Sequence, residues 1–309
     1  MSLSEKVSKS IERLKAFEPA EGYYLAFSGG KDSVVCKHLM ELAGVKYDAT
    51  YRVTSVDPPE LVKFIKEQHP DVVREVPRYS ETYRIEKYAG KPITMWNLIP
   101  NKVMPPTRLT RYCCRELKET GGDGRVTVTG VRWAESRARA QNQGIATIMS
   151  KGAQNELTGE DFRNTKRGGV ILVNDNDDSR RLVESCYRRH KTTVNPIIDW
   201  SDAEVWEFIR AERIPYCSLY DEGFDRLGCI GCPLINAKPR EREFARWPKY
   251  KVAYLKAFDR MLRERERRGL SSDRWPTVMD VYNWWMRNGI LIGQMSFDDI
   301  EEEDDDIST

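Results

Sequence analysis

At 309 residues, 40% of them hydrophobic and 32% charged, the chain is long enough for one large α/β domain with additions or for two modest ones. Its composition is that of a globular protein with a wet surface. No apolar run approaches membrane-spanning length and Met1–Lys6 has no signal-peptide core, so a cytoplasmic location with no membrane partner is expected. The formal net charge is only +2, yet eight acidic side chains lie between Asp298 and Asp306. The remaining chain is therefore basic, which favours anionic substrates and admits nucleic acid.

Residues 4–16 are expected to form a first helix, with Val7, Ile11 and Leu14 along one side. Tyr23–Phe27 is apolar and aromatic and suits a short buried strand. Ser28-Gly29-Gly30 then lets the backbone turn tightly, and Ser33–Leu42 reads as a helix with Val34, Val35, His38, Leu39 and Leu42 inward. Strand, glycine turn and helix N-terminus together make an anion site, because free N–H groups and the helix dipole point at the loop. Lys31 adds a mobile positive charge, and Ser28 and Ser33 add hydroxyls. Asp32 would repel phosphate and fits better as a helix cap or as a group that meets Mg²⁺. A second strand is expected within Asp48–Val56, a helix from Asp57-Pro58-Pro59-Glu60 with Leu61, Phe64 and Ile65 as its apolar face, and a third strand near Val72–Val76. This alternation argues for an α/β fold: a mostly parallel twisted sheet with helices on both faces.

Residues 78–112 are less regular, with Pro92, Pro100, Pro105 and Pro106 breaking the pattern, and Arg108, Arg111 and Arg115 cluster around Cys113-Cys114. Arg125–Val131 alternates and is β-branched, so it reads as a strand. Arg132–Arg139 follows at its C-terminal end, where open α/β sheets bind ligands. Residues 140–185 read as a mobile polar insertion with a small hairpin from Gly169 to Val173. Val194–Trp200 returns to the core. Ser201 and Glu204 form a capping box for a helix that buries Val205, Trp206 and Ile209. Residues 240–268 suggest a long charged helix or helix pair, and 281–286 a last packed helix. The expected organisation is a nucleotide-binding domain over 1–235, a helical C-terminal extension over 236–297 and a solvated acidic tail over 298–309.

Seven cysteines occur, at 36, 113, 114, 186, 217, 229 and 232. The adjacent pair Cys113-Cys114, followed by Cys229-x-x-Cys232, offers four thiolates to a metal; a [4Fe–4S] cluster, zinc, and redox or structural thiols all remain open. Cys36 is expected in the core, and Cys186 and Cys217 as reactive candidates.

Four stretches resemble the phosphoadenosine phosphosulfate reductase family, a branch of the ATP pyrophosphatase superfamily. They are Ser28-Gly29-Gly30-Lys31-Asp32-Ser33, Gly130-Val131-Arg132-Trp133-Ala134-Glu135-Ser136-Arg137-Ala138-Arg139, Pro196–Trp200 with Val205-Trp206, and the four cysteines 113, 114, 229 and 232. The resemblance spans roughly residues 20–235 and implies an adenine nucleotide α-hydrolase-like fold. It implies that Ser28, Gly29, Gly30, Lys31, Asp32, Ser33 and Gly130 hold ATP with Mg²⁺. Arg132 and Arg137 would serve the α-phosphate or the acceptor, and Glu135 would orient an arginine or bind metal. The four cysteines are similar to the [4Fe–4S] ligands of adenylyl-sulfate reductases. Those reductases carry a reactive Glu-Cys-Gly-x-His motif, whereas this chain has no cysteine after Cys232 and no histidine after His190. They also tend to have degenerate loops, and the loop here is intact.

The resulting expectation is an ATP pyrophosphatase, yielding AMP and pyrophosphate, that adenylates an acceptor in an iron–sulfur-dependent sulfur-transfer pathway. The character is similar to cluster-bearing members of DNA phosphorothioation systems, with DNA or another nucleic acid and a sulfur donor such as a cysteine desulfurase as partners, and a dimer compatible. The alternatives are a sulfonucleotide (APS/PAPS) reductase, a sulfate adenylyltransferase-like enzyme, and a non-catalytic iron–sulfur module that binds nucleotide or nucleic acid. Arg163, Lys166, Arg167, Arg180, Arg181, Arg188, Arg189 and Lys191 are the candidate basic surface.

Overall fold

The computed structural model describes residues 1–149, 154, 157, 159–165, 169–174 and 191–287. Cys186, the basic residues 166, 167, 180, 181, 188 and 189, and the acidic tail lie outside the described residues. In chain order the elements are α1 (Leu3–Ala16), β1 (Tyr23–Ala26), α2 (Lys31–Ala43), β2 (Tyr47–Arg52), α3 (Pro59–Gln68) and β3 (Val73–Glu75). Then come α4 (Met95–Lys102), α5 (Tyr112–Leu117), β4 (Thr127–Val128), α6 (Arg137–Asn142), β5 (Ala146–Met149), β6 (Phe162–Asn164), β7 (Val170–Leu172) and β8 (Lys191–Val194). The last four are α7 (Asp202–Ala211), α8 (Ala237–Arg246), α9 (Pro248–Arg267) and α10 (Val278–Met286). None of the described helices is long and apolar enough to cross a membrane.

The chain clusters into two compact units. The first comprises Met1–Arg52, Pro59–Glu75 and Thr120–Leu227; the second comprises Val53–Pro58, Val76–Glu119 and the chain from Gly228 on. This division groups residues 76–119 with the C-terminal helices.

The first unit is built on an eight-stranded sheet in the order β3-β2-β1-β4-β8-β5-β7-β6. From β3 to β8 every pairing is parallel, and β5, β7 and β6 continue the sheet antiparallel. The expected mostly parallel α/β sheet is present. The hairpin foreseen in the polar stretch is larger than a surface feature: β5 and β7 each have a strand on both sides, and Ile148, Val170, Ile171 and Leu172 are fully buried. Short apolar runs inside a polar stretch carry too little periodicity to betray a strand that is flanked on both sides.

Local chemistry explains the first helix. The Ser2 and Glu5 capping box starts α1, but its inner face is not the apolar stripe alone. Arg13 is buried and donates to Pro196 O at 2.8 Å and to both oxygens of Asp199. Ser10 is also buried, donating to Pro196 O and accepting the Trp200 indole N–H. These bonds fasten α1 to the turn after β8. In α2, Val34, Val35 and Leu39 are buried as expected and His38 is half-buried, while Leu42 is exposed. The α7 capping box of Ser201 and Glu204 is present; Val205 and Ile209 are buried, Trp206 is half-buried, and Phe208 joins the buried face.

The second unit packs α9 against α4 and α10. Tyr254, Phe244, Phe258 and Trp285 form its aromatic core, with Tyr254 and Trp285 ring centres 4.7 Å apart. Pro100 does not break the chain as expected but sits inside α4. Proline has no N–H to offer the carbonyl four residues back. That carbonyl, on Trp96, instead accepts from Arg260 of α9 at 2.8 Å.

Candidate functional site

In the first unit the strand order runs outward from β1 to β2 and β3 on one side and from β4 to β8 on the other. This reversal between β1 and β4 is the topological switch point, beyond whose strand ends α/β sheets hold ligands. Both neighbouring strands end there, β1 just before the predicted Ser28–Ser33 loop and β4 just before the predicted Gly130–Arg139 stretch. A cavity of about 230 Å³ opens at that place, lined by Ser28, Gly30, Lys31, Asp32, Ser33, Gly130, Glu135, Arg139, Tyr220 and Arg226, among others.

The loop is shaped by two glycines. Gly29 has φ +75°, in the left-handed region, and a Cβ there would stand 2.7 Å from Ile65 Cγ1. Gly130 serves close approach: a Cβ would meet Asp32 Cβ at 2.8 Å, so only glycine lets the end of β4 lie against the first turn of α2. The hydroxyls knit the turn, Ser33 donating to Gly30 O at 2.9 Å and Ser28 to Ser33 Oγ at 3.2 Å. Gly30, the N-cap of α2, makes no side-chain bond to the helix.

Asp32 is not the cap. Its carboxylate accepts from Arg132 Nε at 2.7 Å and lies 3.9 Å from the Lys31 ammonium. Arg132 is buried and fully engaged, bonding Asp202 Oδ1 at 2.9 Å and Trp200 O at 3.3 Å as well. Lys31, also buried, pairs with Asp202 at 3.1 Å and donates to Asp225 O at 3.2 Å. Two cations and two carboxylates thus form one neutral quartet. Partial burial works against the charge of Asp202, but the bonds from Lys31 and Arg132 prevail and hold its carboxyl below the ordinary range. Glu135 accepts the Arg132 backbone N–H and the Arg139 guanidinium, each at 3.0 Å. Arg137 is exposed at the start of α6, and Arg139, rather than Arg132 or Arg137, lines the cavity.

Asp202, Tyr220 and Arg226 were not foreseen as site residues. The one local signal for Asp202 was its place in the first turn of a capped helix, and Tyr220 lies 189 positions from the Lys31 amide it meets.

The four candidate metal ligands all belong to the second unit. Cys113 and Cys114 are consecutive on α5, and Cys232 N–H turns back to Cys229 O at 3.2 Å. The thiols act on one another: the bond to Cys114, then burial and the neighbouring Cys229 and Cys232, push Cys113 up. The same bond and the Arg111 guanidinium pull Cys114 down to about 6 against burial. Burial raises Cys229 to about 11, offset in part by Lys118. The Lys118 side chain is largely exposed, yet its ammonium bonds Cys229, whose charge lifts it above the ordinary lysine value. This donor set suits a thiolate-ligated metal in chemistry. Among the described residues, however, no three His, Cys, Asp or Glu side chains stand together as a metal-holding group. Asp32, committed to Arg132, does not fit as a free Mg²⁺ ligand. Cys36 is buried as expected. Cys217 is also buried, and burial raises its thiol, so the structure does not support a reactive Cys217.

The sequence pattern of the phosphoadenosine phosphosulfate reductase domain matches residues 22–235. The chain belongs to the phosphoadenosine phosphosulfate reductase domain family. Within the family's reach, an uncharacterised protein of Methanocaldococcus jannaschii is 26% identical over 240 residues, 73% of this chain and 40% of that protein. Adenosine 5'-phosphosulfate reductase 2 of Bacillus subtilis is 22% identical over 211 residues, 66% of this chain and 64% of that protein. The chain spans less than half the length of the first curated relatives it matches. Among solved structures, phosphoadenylyl-sulfate reductase from Candida auris is similar with a TM-score of 0.39 at 14% identity, covering 74% of this chain and 93% of that one.

Proposed function

We propose that this member of the phosphoadenosine phosphosulfate reductase domain family binds ATP in the β1–β4 cavity and splits it between the α- and β-phosphates. The observation that carries the reading is the intact Ser28–Ser33 loop at the N-terminus of α2, with Lys31 and Arg139 bordering the same cavity. Backbone N–H groups of the loop and the Ser28 hydroxyl would grip the β,γ-phosphates, and the Lys31 ammonium would turn to them from Asp202, its ion-pair partner. An acceptor oxygen attacks the α-phosphorus, the bond to the bridging oxygen breaks, and pyrophosphate leaves with the electron pair. The acceptor becomes an adenylate; with water the product is AMP. Arg132 is a positioning residue in this scheme: held by Asp32 and Asp202, it sets the first turn of α2 rather than touching phosphate. Mg²⁺ would enter with the nucleotide, ligated by its phosphate oxygens, and would screen their charge.

The adenylated acceptor suits a sulfur-transfer pathway in which Cys113, Cys114, Cys229 and Cys232 would be the thiolates to hold a [4Fe–4S] cluster or zinc, and a nucleic acid backbone would be the acceptor, as in DNA phosphorothioation. The cluster supplies sulfur binding or electron transfer when bound. A sulfonucleotide reductase is the second reading, favoured by the relatives named adenosine 5'-phosphosulfate reductase.

The test is anaerobic incubation of the protein with α-labelled ATP and Mg²⁺, with and without DNA, beside Lys31→Ala. Pyrophosphate and AMP that vanish in the variant are the expected result. Sulfite released from adenylyl sulfate, with no pyrophosphate from ATP under any condition, would replace this reading with the reductase.

A further inference from the structure

Tyr220 takes no part in the scheme above, yet it borders the same cavity. It ends a short 3-10 turn over Ser218–Tyr220, and its hydroxyl accepts the Lys31 backbone N–H at 2.8 Å. That amide is among the first four of α2, which have no partner within the helix. A Cβ on Gly30 would stand 3.5 Å from the same hydroxyl, and the Lys31 ammonium lies 5.7 Å from the ring centre. The phenol oxygen therefore sits at the helix N-terminus and borders the cavity.

Accepting from Lys31 uses a lone pair of the hydroxyl and leaves its proton to be donated. Burial raises the Tyr220 phenol far above the ordinary value, with Asp32, Cys217 and Asp202 adding to the effect, so the proton is retained at neutral pH. The ring is also held in place. Trp206 meets it edge-on at 5.0 Å, Tyr216 lies beyond at 6.4 Å, and the Tyr220 N–H is bonded to Cys217 O at 3.2 Å. A hydroxyl aimed by a helix amide and fixed by its ring acts as a preorganised donor, and packing on this scale argues against its swinging aside when a ligand enters.

Resting on the reading of the cavity as a polyphosphate site, we propose that Tyr220 is a positioning and specificity residue. Its hydroxyl, oriented by the Lys31 amide, donates to the phosphate oxygens held at the N-terminus of α2. It thereby favours ligands that carry a pyrophosphate over those that end in a single phosphate.

Calorimetric titration of the full chain with inorganic pyrophosphate, MgATP and AMP tests this for wild type, Tyr220→Phe and Tyr216→Phe. Loss of one hydrogen bond to a charged oxygen should weaken pyrophosphate and MgATP about tenfold in Tyr220→Phe. AMP binding should stay within about twofold, because AMP has no phosphate at that position. Tyr216→Phe loses a hydroxyl bonded to Asp221 at 3.1 Å in the same aromatic group and should match wild type. Unchanged or tighter pyrophosphate binding in Tyr220→Phe would overturn the proposal, the latter by making the hydroxyl a plug. An equal loss for AMP and pyrophosphate would also overturn it, leaving Tyr220 a structural role. Should Tyr220→Phe not fold, the readout is Trp206 emission in wild type against Trp206→Phe: pyrophosphate but not AMP should change it, and no change sinks the idea. Wild-type protein that binds pyrophosphate yet makes none from ATP would end the ATP-splitting reading and leave this proposal standing. Wild-type protein that binds no pyrophosphate overturns both.

Discussion

Arg132→Met would strip the quartet beneath the loop of one of its two buried cations while keeping most of the side-chain stem, so cavity formation contributes little. Three bonds are lost: to Asp32 at 2.7 Å, to Asp202 at 2.9 Å and to Trp200 O at 3.3 Å. Asp202 has a side chain 61% exposed and can return to water, so its share is small. Asp32 is one-quarter exposed and keeps only the more distant Lys31 at 3.9 Å, and the carbonyl of fully buried Trp200 loses a donor. Breaking a largely buried pair and leaving one partner charged costs about 3–5 kcal/mol. Adding Asp32→Asn removes the stranded charge and should return about 1–2 kcal/mol of that loss. Urea unfolding followed by circular dichroism measures both, with the midpoint compared at constant slope. An Arg132→Met variant within about 1 kcal/mol of wild type would refute the claim that this network holds the first turn of α2. A double variant no more stable than the single one would refute the claim that stranded charge dominates the cost.

Gly29→Ala should destabilise the chain by about 2–4 kcal/mol, combining left-handed strain with the pressure of a methyl on Ile65 and Leu61. Differential scanning calorimetry reads this directly, and a melting temperature equal to wild type would remove the steric reason for glycine there. Glu204 predicts a pH dependence. Partial burial disfavours its charge, but bonds from Lys6 at 2.7 Å and from Ser201 hold its carboxyl down to about 2, below its ordinary 4.5. A carboxyl depressed on folding stabilises fully above its unfolded value, and that stabilisation drains as pH falls from about 4.5 through about 2. Glu204→Gln should therefore flatten this part of the acid-unfolding curve; an unaltered acid limb would argue against the Lys6 pairing in solution.

Much of the candidate site was legible because it is contiguous. A strand, a glycine turn and a helix start within residues 23–43 carry their own geometry, since Gly29 must adopt a positive φ and the first amides of α2 must face the loop whatever surrounds them. Gly130 was legible as a site residue but not for its reason, which is the 2.8 Å approach to Asp32 that only the folded sheet creates. For Asp32 the sequence suggests a helix cap or a Mg²⁺ contact, neither of which it makes, because a carboxylate in a helix's first turn looks locally like a dipole partner or a metal ligand. The partner that claims it, Arg132, is 100 positions away.

The parallel core, the capping box of α7 and the cysteine pairs were written in local periodicity and short spacings, which act through neighbouring residues and need no tertiary context. The antiparallel extension through β5, β7 and β6, the burial of Ser10 and Arg13, the tolerance of Pro100 in α4 and the placing of Asp202 and Tyr220 at the loop were not. Each depends on a bond between residues far apart in the chain: Arg13 with Asp199, Arg260 with Trp96, Lys31 with Tyr220. A buried polar group is stable only where its partner arrives, and which partner arrives is settled by the packing of sheet and helices, not by the residues on either side.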